Sequence, residues 1–187
     1  IIMSVLVITG ILSWFTVLVY LFSIGQKGGS IFFVQKRTGT DGKVFNCVKY
    51  RTMKPNREAD NQQATLNDDR VTRSGRFLRK TSLDELPQFF NVLMGQMSVV
   101  GPRPHMLRHT DDYRKQVQRF MTRHTVKPGI TGLAQVRGYR GEIKTVEDLQ
   151  NRVNLDVFYV EKWNFFLDIR IMTLTIWIIF KGQPQAY

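Results

Sequence analysis

Cysteine is almost absent from this chain. Cys47 stands alone in 187 residues, which excludes an intramolecular disulfide and removes any need for an oxidising compartment. It lies in an alternating apolar run, Val44 to Tyr50, with no motif around it, and reads as a core residue rather than a catalytic thiol. Histidine is scarce too, with three in all. His105 and His109 have the i, i+4 spacing of helical zinc ligands, but no Glu follows His105 and no third ligand is evident, so a zinc site is not supported. The chain has neither a Walker-type phosphate loop nor a dinucleotide glycine fingerprint. It has no recognisable nucleic-acid motif, and nucleic acid is not the expected partner. Acidic residues are few, 15 Asp and Glu against 27 Lys and Arg, for a net charge of +12. That imbalance calls for an anionic partner without choosing one. Charge of either sign is missing altogether from Ile1 to Ile24.

That uncharged opening is mostly Ile, Val, Leu, Phe, Trp and Tyr, and as a helix it is long enough for a bilayer core of ~30 Å. No basic residue precedes it and no small-residue cleavage site comes after it, so a signal peptide is not expected. The first residue is Ile, not Met, and the sequence is expected to be a piece of something longer. Basic residues come next, Lys27, Lys36, Arg37, Lys43, Lys49 and Arg51, and by the positive-inside tendency they place the polar remainder of the chain on the cytoplasmic face. The expected division is a membrane helix over 1–26 and a catalytic domain over 27–187.

After a turn-rich junction at Gly25 to Ser30, two strands are expected at Ile31 to Gln35 and Val44 to Arg51, joined by the loop Thr38 to Lys43. Lys54 to Asp69 reads as a polar surface loop. A short basic amphipathic helix is expected over Asp69 to Lys80. A second helix should start between Ser82 and Asp84, with Ser82 and Glu85 as a capping box and Pro87 in the first turn, and stop at Gly95. His105 to His124 has a helical pattern. Glycines punctuate KPGITGLAQVRG (Lys127 to Gly138) into loop and strand, and Val146 to Phe180 reads as two helices broken near Trp163-Asn164. The second of these is core or membrane-interfacial, since its apolar residues are joined by Asp168, Arg170 and Lys181. The fold class is α/β, mostly helical with a short β-sheet, an N-terminal membrane helix (re-entrant or spanning) and interfacial amphipathic helices.

Chemistry concentrates at Asp84-Glu85. At a helix start the free N–H groups and partial positive charge keep a carboxylate ionised and attract phosphate. Adjacent helical positions point about 100° apart, which favours divided roles, one carboxylate attacking phosphorus and the other holding a divalent metal. A pair that does no more than cap a helix stays open on this motif alone. Arg79 and Lys80 precede the pair, and Lys49 and Arg51 end the second strand, where cations suit a diphosphate. In Gly101-Pro102-Arg103-Pro104 the prolines fix the backbone around Arg103.

These segments resemble the bacterial sugar transferases, the monotopic polyprenyl-phosphate phosphoglycosyl transferases. The matching stretches are IFFVQKRTG (Ile31 to Gly39), FNCVKYRTM (Phe45 to Met53), RFLRKTSLDELPQFFNVLMGQMSVVGPRP (Arg76 to Pro104), VKPGITGLAQVRG (Val126 to Gly138) and LDVFYVEKWNFFLDIRIM (Leu155 to Met172), in family order over nearly the whole chain. DELPQFFNV, the HMLRH after GPRP and the C-terminal ending are similar to the undecaprenyl-phosphate glucose phosphotransferase group. The resemblance implies transfer of a sugar-1-phosphate, glucose-1-phosphate from UDP-glucose, to undecaprenyl phosphate with release of UMP, the first membrane step of exopolysaccharide, capsule or O-antigen synthesis. It implies Asp84 as nucleophile forming a phosphosugar-aspartate, Glu85 as ligand of Mg2+, Arg79 on phosphate, Lys49 supporting the acidic pair and Asp168 completing it. Arg103, between Pro102 and Pro104, would meet the uridine side, with Arg51 among the substrate-binding cations. The implied partners are UDP-sugar, undecaprenyl phosphate and membrane lipid at the bacterial inner membrane, with the catalytic domain facing the cytoplasm; a homodimer stays open. Family members break the N-terminal helix with Ser-Pro, whereas this chain has Ser13-Trp14, so proline's obligatory break is missing and only a hydroxyl-to-carbonyl bond from Ser13 is left to bend the helix. The same chemistry on galactose or an N-acetylated sugar, and a non-enzymatic basic membrane adaptor, are the alternatives.

Overall fold

Helical hydroxyls shape the first element. A computed structural model describes residues 1–23, 29–55, 65, 68–141 and 143–181. In it a continuous apolar helix runs over Ile2–Phe22, the one helix among the described residues long and apolar enough to cross a membrane. It comprises α1 (Ile2–Val7), a π-helical turn (Ile8–Leu12) and α2 (Ser13–Ser23). Thr9, Ser13 and Thr16 each donate to the carbonyl four residues back, at 2.8, 2.7 and 2.7 Å. The Ser13 hydroxyl thus makes the expected bond and the turn beside it widens to π, yet the backbone stays helical through Ser13. The helix lies along the rest of the molecule. Leu12 and Val19 pack with Tyr50 and Leu78, and Thr16 Oγ1 meets Tyr50 Oη at 2.6 Å.

β1 (Phe32–Thr38) and β2 (Val44–Tyr50) form an antiparallel hairpin in register from Phe32 opposite Tyr50 to Thr38 opposite Val44. The expected strands are there, the first longer than its apolar stretch. Alternation places Phe45, Cys47 and Lys49 on one face of β2, the first two buried. The expected surface loop after β2 and the junction after the first helix fall largely outside the described residues. α3 (Arg73–Lys80) comes next, N-capped by Thr72, whose hydroxyl accepts from Gly75 N at 3.0 Å.

The next segment departs from expectation. Ser82 adopts a left-handed conformation (φ 60°), Leu83–Glu85 form a single 3-10 turn, and α4 begins only at Gln88 and runs to Leu93. No capping box forms: the Ser82 hydroxyl accepts a bond from Arg140 and the Glu85 carboxylate faces cations, which bind it more strongly than a cap N–H. α4 is fastened to β2 by buried Asn91, whose side-chain oxygen accepts from Val48 N (3.0 Å) and whose amide donates to Asn46 O (2.7 Å).

β3 (Ser98–Val100) pairs in parallel with β4 (Gly129–Thr131), a pairing the sequence did not announce. Gly101, Gly129 and Gly132 permit the contact: a Cβ at Gly129 would lie 2.1 Å from Gly101 N. Between these strands the expected long helix is two pieces, α5 (Leu107–Gln116) and a 3-10 turn (Phe120–His124), because Val117 is extended and Arg119 left-handed. α6 (Leu133–Val136) precedes α7 (Val146–Lys162), which opens with a Thr145/Asp148 capping box, and α8 (Phe165–Lys181); the break falls at Trp163-Asn164 as expected. One face of α8 is core, with Ile171 fully buried beside Val100, Leu133 and Tyr159, while Phe165, Phe166, Trp177 and Phe180 are exposed.

Candidate active site

Glu85 is the centre around which cations gather. Lys49, placed on the inner face of β2 by alternation, donates to Oε1 at 2.9 Å. Arg103 forks onto both oxygens, Nη2 to Oε1 at 2.6 Å and Nη1 to Oε2 at 3.2 Å. Arg140, from the loop after α6, donates to Oε2 at 3.0 Å and to Ser82 Oγ at 2.5 Å. A side chain only 6% exposed is thus met by three cations that are themselves mostly buried, a setting where charged pairing is strong.

The two adjacent carboxyls are driven apart electrostatically. Burial works to raise both. At Glu85 the Arg103, Lys49 and Arg140 charges outweigh it and hold the group well below its usual range. At Asp84 burial, followed by the Glu85 charge, wins over Lys49, Arg140 and Arg79, and the pKa rises from 3.8. The α-helix start expected at this pair is not there: α4 begins only at Gln88, and Asp84 lies instead in the 3-10 turn Leu83–Glu85. None of the ion pairs among the described residues reaches Asp84. Arg79 stands on α3 with its Nε on Thr52 Oγ1 at 2.8 Å and acts on Asp84 through its charge. Lys49, Arg79, Arg103 and Arg140 surround two carboxylates, a positive excess that suits the charge of a diphosphate.

Arg103 is fixed through its own backbone. Its carbonyl accepts from Arg123 Nη2 at 2.7 Å, and the neighbouring Pro102 and Pro104 carbonyls accept from Gly129 N (3.0 Å) and Arg37 Nη1 (3.2 Å). Arg123 is in turn buried against Asp156, with N–O contacts of 2.9 and 2.7 Å, and touches His105 Nδ1 at 2.8 Å. Burial and then the Arg123 charge hold His105 well below its usual pKa, and its ring stacks on Phe120. The described residues hold no group of three or more His, Cys, Asp or Glu able to take a metal. Cys47 is buried, with burial pushing its thiol pKa up.

Two sequence candidates lie elsewhere. Arg51 donates to the Ser30 carbonyl at 2.8 Å and covers the Phe33 ring, tying down the start of β1. Asp168, in the first turn of α8, accepts from Tyr159 Oη (2.9 Å) and Trp163 Nε1 (3.1 Å), and no contact among the described residues joins it to Asp84 or Glu85. Conversely, Arg140 escaped sequence reasoning. It sits two residues beyond the end of the KPGITGLAQVRG stretch; a lone Arg in a Gly-rich loop, Gly138-Tyr139-Arg140-Gly141, was the signal available.

From Ser82, Glu85 and Arg140 an apolar groove of about 240 Å3 leads away between Met3, Leu86, Phe89, Val136, Met172 and Ile176. The first helix, α4, α6 and α8 all contribute to its walls. One end of this groove carries Arg140 beside Ser82 and Glu85, and most of the remaining walls are apolar.

A family model described as bacterial sugar transferase matches residues 1–182. The chain is 52% identical over 162 residues to a UDP-glucose:undecaprenyl-phosphate glucose-1-phosphate transferase from Klebsiella pneumoniae, covering 85% of this chain and 34% of that protein. It is 52% identical over 156 residues to the protein of the same name from Escherichia coli (strain K12), covering 82% and 33%. A galactosyl transferase from Streptococcus agalactiae is 39% identical over 171 residues, covering 85% and 36%. The chain spans about a third of the length of these relatives.

Proposed function

The chain belongs to the bacterial sugar transferase family, and we propose that it transfers a sugar-1-phosphate from a UDP-sugar to undecaprenyl phosphate at a membrane surface. The observation that carries this reading is the joining of two halves at Glu85: a cation cluster for phosphate and an apolar groove for a hydrocarbon chain. Glucose is the proposed sugar, since the relatives named for it are 52% identical to this chain over the aligned stretch, against 39% for the galactosyl transferase.

Asp84 is the proposed nucleophile. Its carboxylate oxygen attacks the sugar-bearing phosphorus; an Asp84 O–P bond forms, the bridging P–O bond breaks, and UMP leaves. A phosphate oxygen of the lipid then attacks the same phosphorus and releases Asp84. The cations Lys49, Arg79, Arg103 and Arg140 offset charge on the phosphates throughout. Glu85 keeps three of them in place. Mg2+ fits this donor set when it arrives with a diphosphate, because it takes one or two carboxylates and fills its remaining positions with phosphate oxygens and water. Glu85 would hold it, and the chemistry it would supply is neutralisation of phosphate oxygens. The proposed location is the cytoplasmic membrane, with the site facing the cytoplasm.

Purified protein given Mg2+ and sugar-labelled UDP-glucose without lipid acceptor should form a labelled covalent adduct with stoichiometric UMP release, and Asp84→Asn should form none. A wild-type protein that turns over with undecaprenyl phosphate yet never carries label would overturn the covalent step. UMP release across UDP-glucose, UDP-galactose and N-acetylated donors identifies the sugar.

A further inference from the structure

A second and larger groove, about 600 Å3, lies on the other side of α6, between α7 and α8. Arg137, Tyr139, Leu155, Phe158, Arg170 and Leu174 are among the residues that form it, and no acidic side chain lines it among the described residues. Both arginines are exposed, and neither guanidinium makes an ion pair or hydrogen bond within the described residues. Two unpaired guanidiniums on the walls of an apolar groove recognise a phosphate attached to hydrocarbon. Free phosphate or a nucleotide sugar would leave the leucines and Phe158 wet.

Helix α8 shows where such a ligand comes from. Phe166, Arg170, Trp177 and Lys181 succeed one another at i, i+4, i+11 and i+15, a single stripe along the helix. Phe166 is 81% and Trp177 58% exposed, and Lys181 Nζ sits over the Trp177 ring at 4.8 Å. Exposed aromatics alternating with cations are suited to a lipid head-group layer. Arg170 belongs to both the stripe and the groove, so the groove opens at the edge of that layer. We propose that it is a site for one anionic phospholipid of the bilayer, with the phosphate between Arg137 and Arg170 and an acyl chain along Leu155, Phe158 and Leu174. The site is separate from the groove at Glu85, although the chain links them: Tyr139 lines one and Arg140 the other.

The full protein, stripped of lipid and titrated in detergent, is studied by native mass spectrometry with phosphatidylglycerol and with phosphatidylcholine. Its partition into vesicles of phosphatidylcholine, alone or mixed with phosphatidylglycerol, is measured in parallel. Wild type should hold one phosphatidylglycerol. R137A/R170A should lose that adduct and lower partition into the mixed vesicles by roughly thirtyfold, the scale expected when two charges leave a head-group layer. R114A/K115A, which removes the same charge from α5, should keep the adduct. Leu174→Trp, which fills the groove and keeps the charges, should lose it. The proposal is overturned if R137A/R170A retains the adduct, if R114A/K115A loses it equally, or if inorganic phosphate displaces it. It is overturned equally if wild type takes up no lipid because a second copy covers the groove, seen as a dimer by light scattering. These readouts need no turnover, so failure of the transferase reading would leave them standing.

Discussion

Asp84 and Glu85 carry the same group on neighbouring residues, and their surroundings make them unlike. Glu85 gains more from its cations than burial costs it; Asp84 does not. A carboxyl whose folded pKa lies above its unfolded value favours the fold most below the unfolded value, and that contribution is lost as pH rises through the folded pKa. Asp84 therefore costs stability at neutral pH. Asp84→Asn should abolish turnover and yet raise the melting temperature at pH 7 by an amount worth about 1 kcal/mol. The gain should vanish below about pH 3.8, where both forms are neutral. Calorimetry of both proteins across that range checks the sign, and a destabilised Asn variant at pH 7 would refute it. The pair, Lys49 and Arg103 were legible in sequence because each sits in a local motif that restricts its neighbours. Arg140 was not, since what gives it meaning is a fold that returns it to Ser82 and Glu85 across more than fifty residues.

Elements bring these residues together at points of close approach. α3 lies so near the end of the hairpin that a Cβ on Gly75 would stand 2.0 Å from the Thr52 carbonyl oxygen. The same contact holds Arg79 Nε on Thr52 Oγ1. Gly75→Ala must push α3 away, costing about 1–3 kcal/mol as overpacking and moving Arg79 off its perch. The variant should melt lower and lose turnover more than binding of UMP, whereas Gly10→Ala, with open space around it, should change neither. Equal thermal stability of Gly75→Ala and wild type would refute the contact. Helix boundaries set by local signals, such as the α7–α8 break at Trp163-Asn164, were readable. The 3-10 turn at Leu83–Glu85 and the split after α5 were not, because positive φ at Ser82 and Arg119 is imposed by tertiary contacts on residues with no intrinsic preference for it. The β3–β4 pair, with strands of three residues each, is likewise too short to show a period.

On the scale of the whole molecule the first helix is a wall of the site as well as an apolar segment. Leu12 and Val19 pack on Tyr50 and Leu78 toward one end, and near the other Met3 lines the groove with Glu85, Arg140 and Ile176 of α8. Both ends are thus tied to one body. A helix that carried its N-terminus straight across a bilayer would hold Met3 ~30 Å from that groove. Composition leaves the two paths equal, since Ile2–Phe22 has the length and hydropathy for either. The docked arrangement predicts that Met3→Cys and Ile176→Cys, combined in one chain in native membranes, are joined by a short thiol cross-linker. Cys47 is buried and adds no background. Cross-linking should weaken when undecaprenyl phosphate fills the groove between the two thiols. A pair that stays unlinked in membranes while each thiol reacts with a small maleimide would place the helix away from the body and remove its wall from the acceptor groove.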